Sequence, residues 1–433
     1  MNEIEAVGVD GAQPQFSDAH SDEAGKPGRS ERPWIFGFTI APSAATANGV
    51  IQGGVLAYLL SLQHIGSGEQ SRLIALASIP TWLYFAWSPI TDFFIKRRSW
   101  LLLGGLLAGA LMNLAFHAPK LTGNLSIWLL FLSVACSQLV VSACGGMMAA
   151  LRSETAKGAA SGFYQAGSLG FGALSASLLV AMSSRCSPGT LGWIANAVIS
   201  LPALSALAAP EQTSFGDGSF GESLRKVGQE FVSSFLNWRA VPYLLCMLFP
   251  GGSGSAIGLL PGIAAQYHVS GDNVAWINGI GGTLMTAAGA VCVALVPKLL
   301  KKWGRFPGAP IFYMWVNLVN CLALAVLWLG SLAPSTYFVG TLAYLFTAGA
   351  CYATFTMVIL EFLGAAGKSG STRYSIINSM GNVPVIYMLR VDGWGGDHFG
   401  ARGLPGVECV VGAVGSVLLL SWLLTVGRER RVA

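Results

Sequence analysis

Apolar runs of about 20 residues recur along this chain, each long enough as a helix to cross the hydrocarbon core of a bilayer. Short turns rich in Gly, Pro and charge separate them, and the alternation predicts twelve spans. They cover residues 34–62, 73–94, 100–117, 124–150, 159–183 and 189–209, then 238–266, 272–296, 308–329, 334–362, 370–390 and 401–427. The turn at 95–99 shows the pattern clearly. An apolar run descends to Asp92, turns through Lys96, Arg97 and Arg98, and returns at once into Leu101-Leu-Leu-Gly-Gly. Only residues 211–237 interrupt the pattern at length. There Leu224, Val227, Phe231 and Phe235 fall on one face, as in a short amphipathic helix lying on the membrane surface.

Charge fixes the orientation. If the spans alternate, 20 of the 25 Lys and Arg fall on one side, and only Arg72, Lys120, Arg185, Arg390 and Arg402 on the other. Cations beside membrane ends mark the cytoplasmic face, so both termini are expected in the cytoplasm of a multi-pass protein. Composition agrees: of 433 residues 53% are hydrophobic and 10% charged, with mean hydropathy +0.59. Soluble domains carry about 25% charged residues. The net charge of +5 is thus a topology imprint, with no basic, aromatic-interleaved stripe of a nucleic-acid reader. Residues 1–33 hold seven acids, three bases and no apolar period, and read as a disordered cytoplasmic tail.

The two halves echo one another. Pro89 and Arg97 recur as Pro297 and Arg305, and Ser168 and Gly170 recur as Ser379 and Gly381. The pattern predicts an all-α integral membrane fold of six plus six helices with pseudo-twofold halves. Its parts are the tail 1–33, a first bundle 34–210, a linker 211–237 and a second bundle 238–433.

Gly37-Phe38, Pro42, Gln52, the segment from Phe85 to Asp92 and the turn Arg97-Arg98-Ser-Trp resemble the muropeptide permease (AmpG) branch of the major facilitator superfamily, to which acetyl-coenzyme A transporters are related. In the second half Ser371-Thr-Arg-Tyr-Ser-Ile-Ile-Asn-Ser-Met-Gly381 and Gly393-Trp-Gly-Gly-Asp-His-Phe-Gly400 resemble it too. The resemblance implies an inner-membrane solute permease, often proton-coupled, that takes amide-linked sugar–peptide fragments. The chain departs from that branch in its fourth span, where residues 143–150 contain no acid.

Within this frame Asp92, Arg97 and Arg98 are expected to gate the conformational change, with Asp92 pairing across the half-interface or capping a helix. Glu154 and Glu361 lie near the cytoplasmic ends of the fourth and tenth spans, and Arg373 is a candidate partner for Glu361. Amides and hydroxyls within spans need partners, because lipid offers none. Gln52, Tyr164, Gln165 and Asn378 are expected to line the substrate cavity. Asn48, Gln138, Asn196, Asn278, Asn317, Asn320 and Asn382 read instead as contacts between helices. Asp392, Asp397 and Glu408 are placed at loops or outer span ends, which leaves Glu361 as the coupling carboxylate of any proton symport.

Other motifs carry no chemistry. Gly251-Gly-Ser-Gly-Ser-Ala-Ile-Gly258 has dinucleotide spacing but sits inside an apolar run, where small residues permit close contact or unwinding. No P-loop is present, the eight cysteines form no C-x-x-C pair, and the five histidines lack ligand spacing. The expected function is a secondary transporter without cofactors, monomeric, working on a small organic solute by alternating access. A siderophore or other small-metabolite permease of the same fold is the alternative. An enzyme is not expected, since no cluster of catalytic side chains falls within the spans.

Overall fold

A computed structural model gives the architecture and describes residues 32–149, 154–209, 240–302, 307–363 and 379–432, with scattered positions between 220 and 232. The described residues hold no strand, and every expected span holds helix over its described part. The first half consists of α1 (Ile35–Leu62), α2 (Ser67–Trp87), α3 (Arg97–His117), α4 (Asn124–Ala149), α5 (Glu154–Ser183) and α6 (Pro188–Ala203). In the second half α7 comes in two pieces, Val241–Met247 and Ser255–Ile263. There follow α8 (Gly271–Trp276 continuing through a π-helical turn into Gly282–Lys302), α9 (Ala309–Leu329), α10 (Pro334–Leu363), α11 (Asn382–Phe399) and α12 (Gly403–Val432). The tail and most of the linker helix expected at 223–235 lie outside the described residues.

Among these residues nine helical stretches are long and apolar enough to cross a membrane, α11 and α12 counting as one. Their outward faces carry Leu107, Leu114, Trp128, Trp193, Leu322, Leu329 and Leu418, all exposed. A water-soluble protein rarely leaves so much contiguous apolar surface bare, whereas a lipid-facing belt requires it. Local chemistry sets the ends. The Ser187 hydroxyl caps α6 by accepting from the Thr190 N–H at 3.2 Å, with Pro188 at the first helical position.

One boundary differs from the sequence expectation. The eleventh span was expected to end at 390, yet α11 runs on to Phe399. Gly393, Gly395 and Gly396 read as a turn in the sequence but are helical. A side chain at Gly393 would collide with Ser71, at Gly396 with Ser67, and at Gly395 with Gly403 and Val407. These glycines let α11 lie against α2 on one side and α12 on the other, which is a common use of small residues in membrane helices.

Apart from one hydrogen bond between Asn382 and Thr81, the recorded hydrogen bonds between the halves gather at the end carrying the turns 63–66, 184–187, 268–270 and 400–402. There the last piece of α1, Val55–Leu62, and the second piece of α7 cross, each begun by a left-handed glycine, Gly54 (φ 85°) and Gly254 (φ 78°). Gly54 has no room for a side chain because Pro261 occupies it. Leu56, Leu60, Leu73 and Ile74 of the first half share one buried cluster with Leu259, Leu260, Ile263 and Tyr267 of the second.

Candidate functional site

Just beyond this closure lies a cavity of about 380 Å³ between the halves. Helix α1 reaches it through a π-helical segment, Ala44–Ile51, whose wider turn lets the Gln52 N–H bond to the Ala47 carbonyl at 2.8 Å. Such single π turns often mark functional sites, since they reorient side chains. Asn48, Gln52, Ser168, Ser253, Ser255 and Asn278 bring amides and hydroxyls to the wall, joined by Thr283, Thr286, Tyr352, Thr356 and Asn382. Ile74, Val385, Leu389 and Phe355 are among its apolar residues, and none of the described lining residues carries a charge. Asn48 donates to Ser168 at 3.2 Å, and Asn382 donates to the Thr81 carbonyl of the other half at 3.0 Å. Gln52 makes no side-chain hydrogen bond among the described residues, so its amide is open to a solute.

Behind the wall stands a group of buried acids. α7 unwinds over residues 248–254, with Gly252 (φ 66°) and Gly254 in the left-handed region, and restarts at Ser255. The Ser255 hydroxyl donates to Asp392 Oδ2 at 2.6 Å and lies 3.4 Å from Glu408 Oε2. Glu408 also accepts from the Ala256 N–H at 3.2 Å and from the Tyr344 hydroxyl at 2.8 Å. Asp392 is 0% and Glu408 1% exposed, and Asp392 Oδ1 has no partner. Placing these two acids at loops or outer span ends is therefore corrected. Once α11 extends to Phe399, Asp392 falls inside it, and Glu408 lies within α12 against it. Asp397, at the end of α11, accepts from the Gly68 N–H at 2.8 Å.

Of the residues singled out from the sequence, Gln52 lines the cavity. Tyr164 and Gln165 lie on α5 but not in the cavity wall, where Ser168 and Gly172 of the same helix stand instead. Tyr164 packs against a separate apolar cluster with Phe36 and Leu101. Asn48, Asn278 and Asn382, read as helix contacts, do line the cavity; their sequence signal was an amide in a span, which by itself does not say which way the amide faces. Asp92 closes a 3₁₀ turn, Ser88–Asp92, just before the basic loop. Arg97 donates to the Gly146 carbonyl at 2.8 Å, joining α3 to α4 within the first half, and Arg98 follows it in the first turn of α3. Glu361 is exposed at the end of α10. It accepts from the Ala309 N–H at 2.9 Å and the Tyr243 hydroxyl at 3.2 Å, so it caps the N-terminus of α9 outside the cavity wall. Arg373 and Asn378 lie outside the described residues.

No family model and no curated protein sequence matches the chain. Solved structures do. A mutant of the peptide transporter POT in complex with sulfate superposes with a TM-score of 0.69 at 12% identity, covering 92% of this chain and 97% of that one. A POT family transporter in complex with a thioalcohol-conjugated peptide gives 0.68 at 10% identity, covering 90% and 96%. A mutant of the nucleoside transporter NupG gives 0.67 at 12% identity, covering 90% and 99%. The chain has the major facilitator fold. Identities this low carry the fold and nothing about the solute. Within the fold, the cavity occupies the interface of the two helical halves, the place where this architecture builds its binding sites.

Proposed function

We propose that the chain is a transporter that moves a small, uncharged organic solute across a membrane by alternating access. The observation that carries this reading is the cavity between the halves. Among the described residues it is walled by amides and hydroxyls from both, without charge, and the Gln52 side-chain amide makes no hydrogen bond. Buried amides facing such a space are costly unless something bonds to them, and a solute with its own amides or hydroxyls does so. Solved structures of the same fold include transporters of peptides and of nucleosides.

At about 380 Å³ the cavity lies toward the small end of ligand pockets, roughly 300–1,000 Å³. That favours a solute of dipeptide or nucleoside size over a bulky siderophore. The narrower reading, import of an amide-bearing sugar–peptide fragment by proton symport in the muropeptide permease branch, rests on the segments 85–100 and 371–400. The charge pattern supports a reading in which the closed end faces outward and both termini face the cytoplasm, in an inner-membrane protein working as a monomer.

Uptake into liposomes containing the purified chain, with a panel of radiolabelled dipeptides, amino sugars and nucleosides, tests the reading. At least one should enter faster than into empty liposomes, and Gln52→Ala should raise its KM while the protein stays folded. Absence of uptake across the panel, or a Gln52→Ala variant with unaltered KM, would sink it.

A further inference from the structure

We propose that Asp392 and Glu408 hold a single exchangeable proton between them, and that this proton reaches the cavity through the hydroxyls of Ser255 and Ser253. The coupling role drawn from it below rests on the transporter reading; the bound proton itself does not.

The two acids belong to different helices, α11 and α12, yet both lie within reach of one hydroxyl on a third, the Ser255 hydroxyl of α7. Both are fully buried. The titratable groups facing them are Tyr344, Tyr352 and Cys351 of α10, Cys321 of α9 and Cys409 of α12. Among the described residues no Lys, Arg or His pairs with either acid. Two bare carboxylates in such a place would be an uncompensated double charge, which proteins avoid by binding a proton or a cation. The hydrogen-bond pattern says where a proton belongs. Glu408 already accepts from Tyr344 and from the Ala256 N–H at a helix N-terminus, which favours its anion. Asp392 accepts through Oδ2 from Ser255, while its buried Oδ1 has no partner. A proton on Asp392 Oδ1, donated to Glu408, satisfies that atom and leaves one negative charge on the pair.

The route to the cavity is short. Ser253 Oγ donates to Ser255 Oγ at 3.1 Å, and Ser255 Oγ donates to Asp392 at 2.6 Å; both serines stand in the cavity wall. Ser255 passes its hydroxyl proton to Asp392 Oδ2 and takes one from Ser253, which is refilled from the cavity; a half-turn of the protonated carboxyl then exchanges its two oxygens and presents the proton to Glu408, the hydroxyls are unchanged and one proton has moved. α11 then links the proton to the rest of the machine. It carries Asp392, the cavity residues Val385 and Leu389, and Asp397 at the closure. Loss of the proton would place a second charge where α7, α11 and α12 meet, so occupancy biases the packing of the closed end.

Infrared difference spectroscopy on the full-length chain in lipid membranes tests the proton without any substrate. At neutral pH the wild type should show a protonated-carboxyl C=O band that shifts in deuterated buffer. The band should vanish in Asp392→Asn and in Glu408→Gln and persist in Glu361→Gln. Ser255→Ala should keep the band but slow its deuterium shift. Absence of the band in wild type, its survival in both pair variants, or its loss on adding sodium at fixed pH would overturn the proposal, the last by assigning the site to a metal cation. Should the pair variants fail to fold, the wild-type band and its response to sodium decide alone.

Discussion

The backbone N–H of Gly68 donates to Oδ1 of Asp397 at 2.8 Å, joining the start of α2 to the end of α11 across the two halves. Gly68 has no space for a side chain, because the Asp397 carboxylate fills it. Nearby, Arg185 and Asp272 also bridge the halves at 3.0 Å, but their side chains are 58% and 69% exposed. The Gly68 bond is exposed as well, so solvent screening brings a charge-assisted hydrogen bond down to about 1 kcal/mol, against about 0–1 kcal/mol for the exposed ion pair. Asp397→Ala should therefore open the closed end by roughly 5-fold in equilibrium constant, and Asp272→Ala by less. A cysteine placed at buried Ala57 reports this through its labelling rate with an impermeant maleimide. A larger effect from Asp272→Ala would reverse the ranking.

Two glycines of similar sequence context should respond oppositely to alanine. Gly254 has φ 78°, and a side chain there would overlap the Tyr352 hydroxyl, so Gly254→Ala meets both backbone strain and a clash. The left-handed conformation alone costs roughly 1–2 kcal/mol for a residue with a Cβ. Gly145 lies within α4 with open space around it, and Gly145→Ala should be neutral or stabilising by about 0.5–1 kcal/mol through helix propensity. Thermal unfolding in detergent measures both. Equal shifts would mean that the unwound segment of α7 is not held by Gly254.

Much of this was legible in the sequence, and the part that was not has a common cause. Periodicity and charge placed the spans because lipid demands long apolar runs and the cytoplasm collects Lys and Arg. The same reasoning misplaced Asp392 and Glu408, because it treats a carboxylate near a span end as solvated. Gly393, Gly395 and Gly396 compounded this, since glycine signals a turn in water but close helix contact in a bundle. The cavity was half legible. Gln52 lines it, but which amides face inward depends on helix rotation, which the sequence alone does not give; Asn48, Asn278 and Asn382 stand in the wall, whereas Tyr164 and Gln165 of α5 do not. The unwinding of α7 was foreshadowed by Gly251-Gly-Ser-Gly, although nothing in one sequence says that a carboxyl pair waits behind it.

Orientation can be read from one thiol. Cys186 is half-buried in the turn between α5 and α6, on the closed side. If that side faces outward, as the charge pattern requires, an impermeant thiol reagent on intact cells should label Cys186 in a chain whose other seven cysteines are replaced. Cys292 is exposed within α8, and in a second variant that keeps it as the sole cysteine it should stay unlabelled if that face of α8 lies in the bilayer. Labelling of Cys186 only after lysis would invert the topology.

Glu361 separates two roles by their signatures. Its carboxylate accepts from the Ala309 N–H at 2.9 Å and from Tyr243 at 3.2 Å, the position of a cap on α9. Losing such a cap costs about 0.5–2 kcal/mol of stability. Glu361→Ala should therefore lower thermal stability by that amount, while Glu361→Gln, whose amide oxygen still accepts from Ala309, should lower it less. As a cap, Glu361 is unnecessary for coupling, and Glu361→Gln should retain solute accumulation driven by an inward proton gradient in liposomes. The coupling role expected from the sequence makes the opposite forecast: accumulation lost in Glu361→Gln with facilitated exchange intact. Running both variants against the same gradient decides between them, because stability and accumulation fail together only if the fold itself is lost, which the retained exchange rules out.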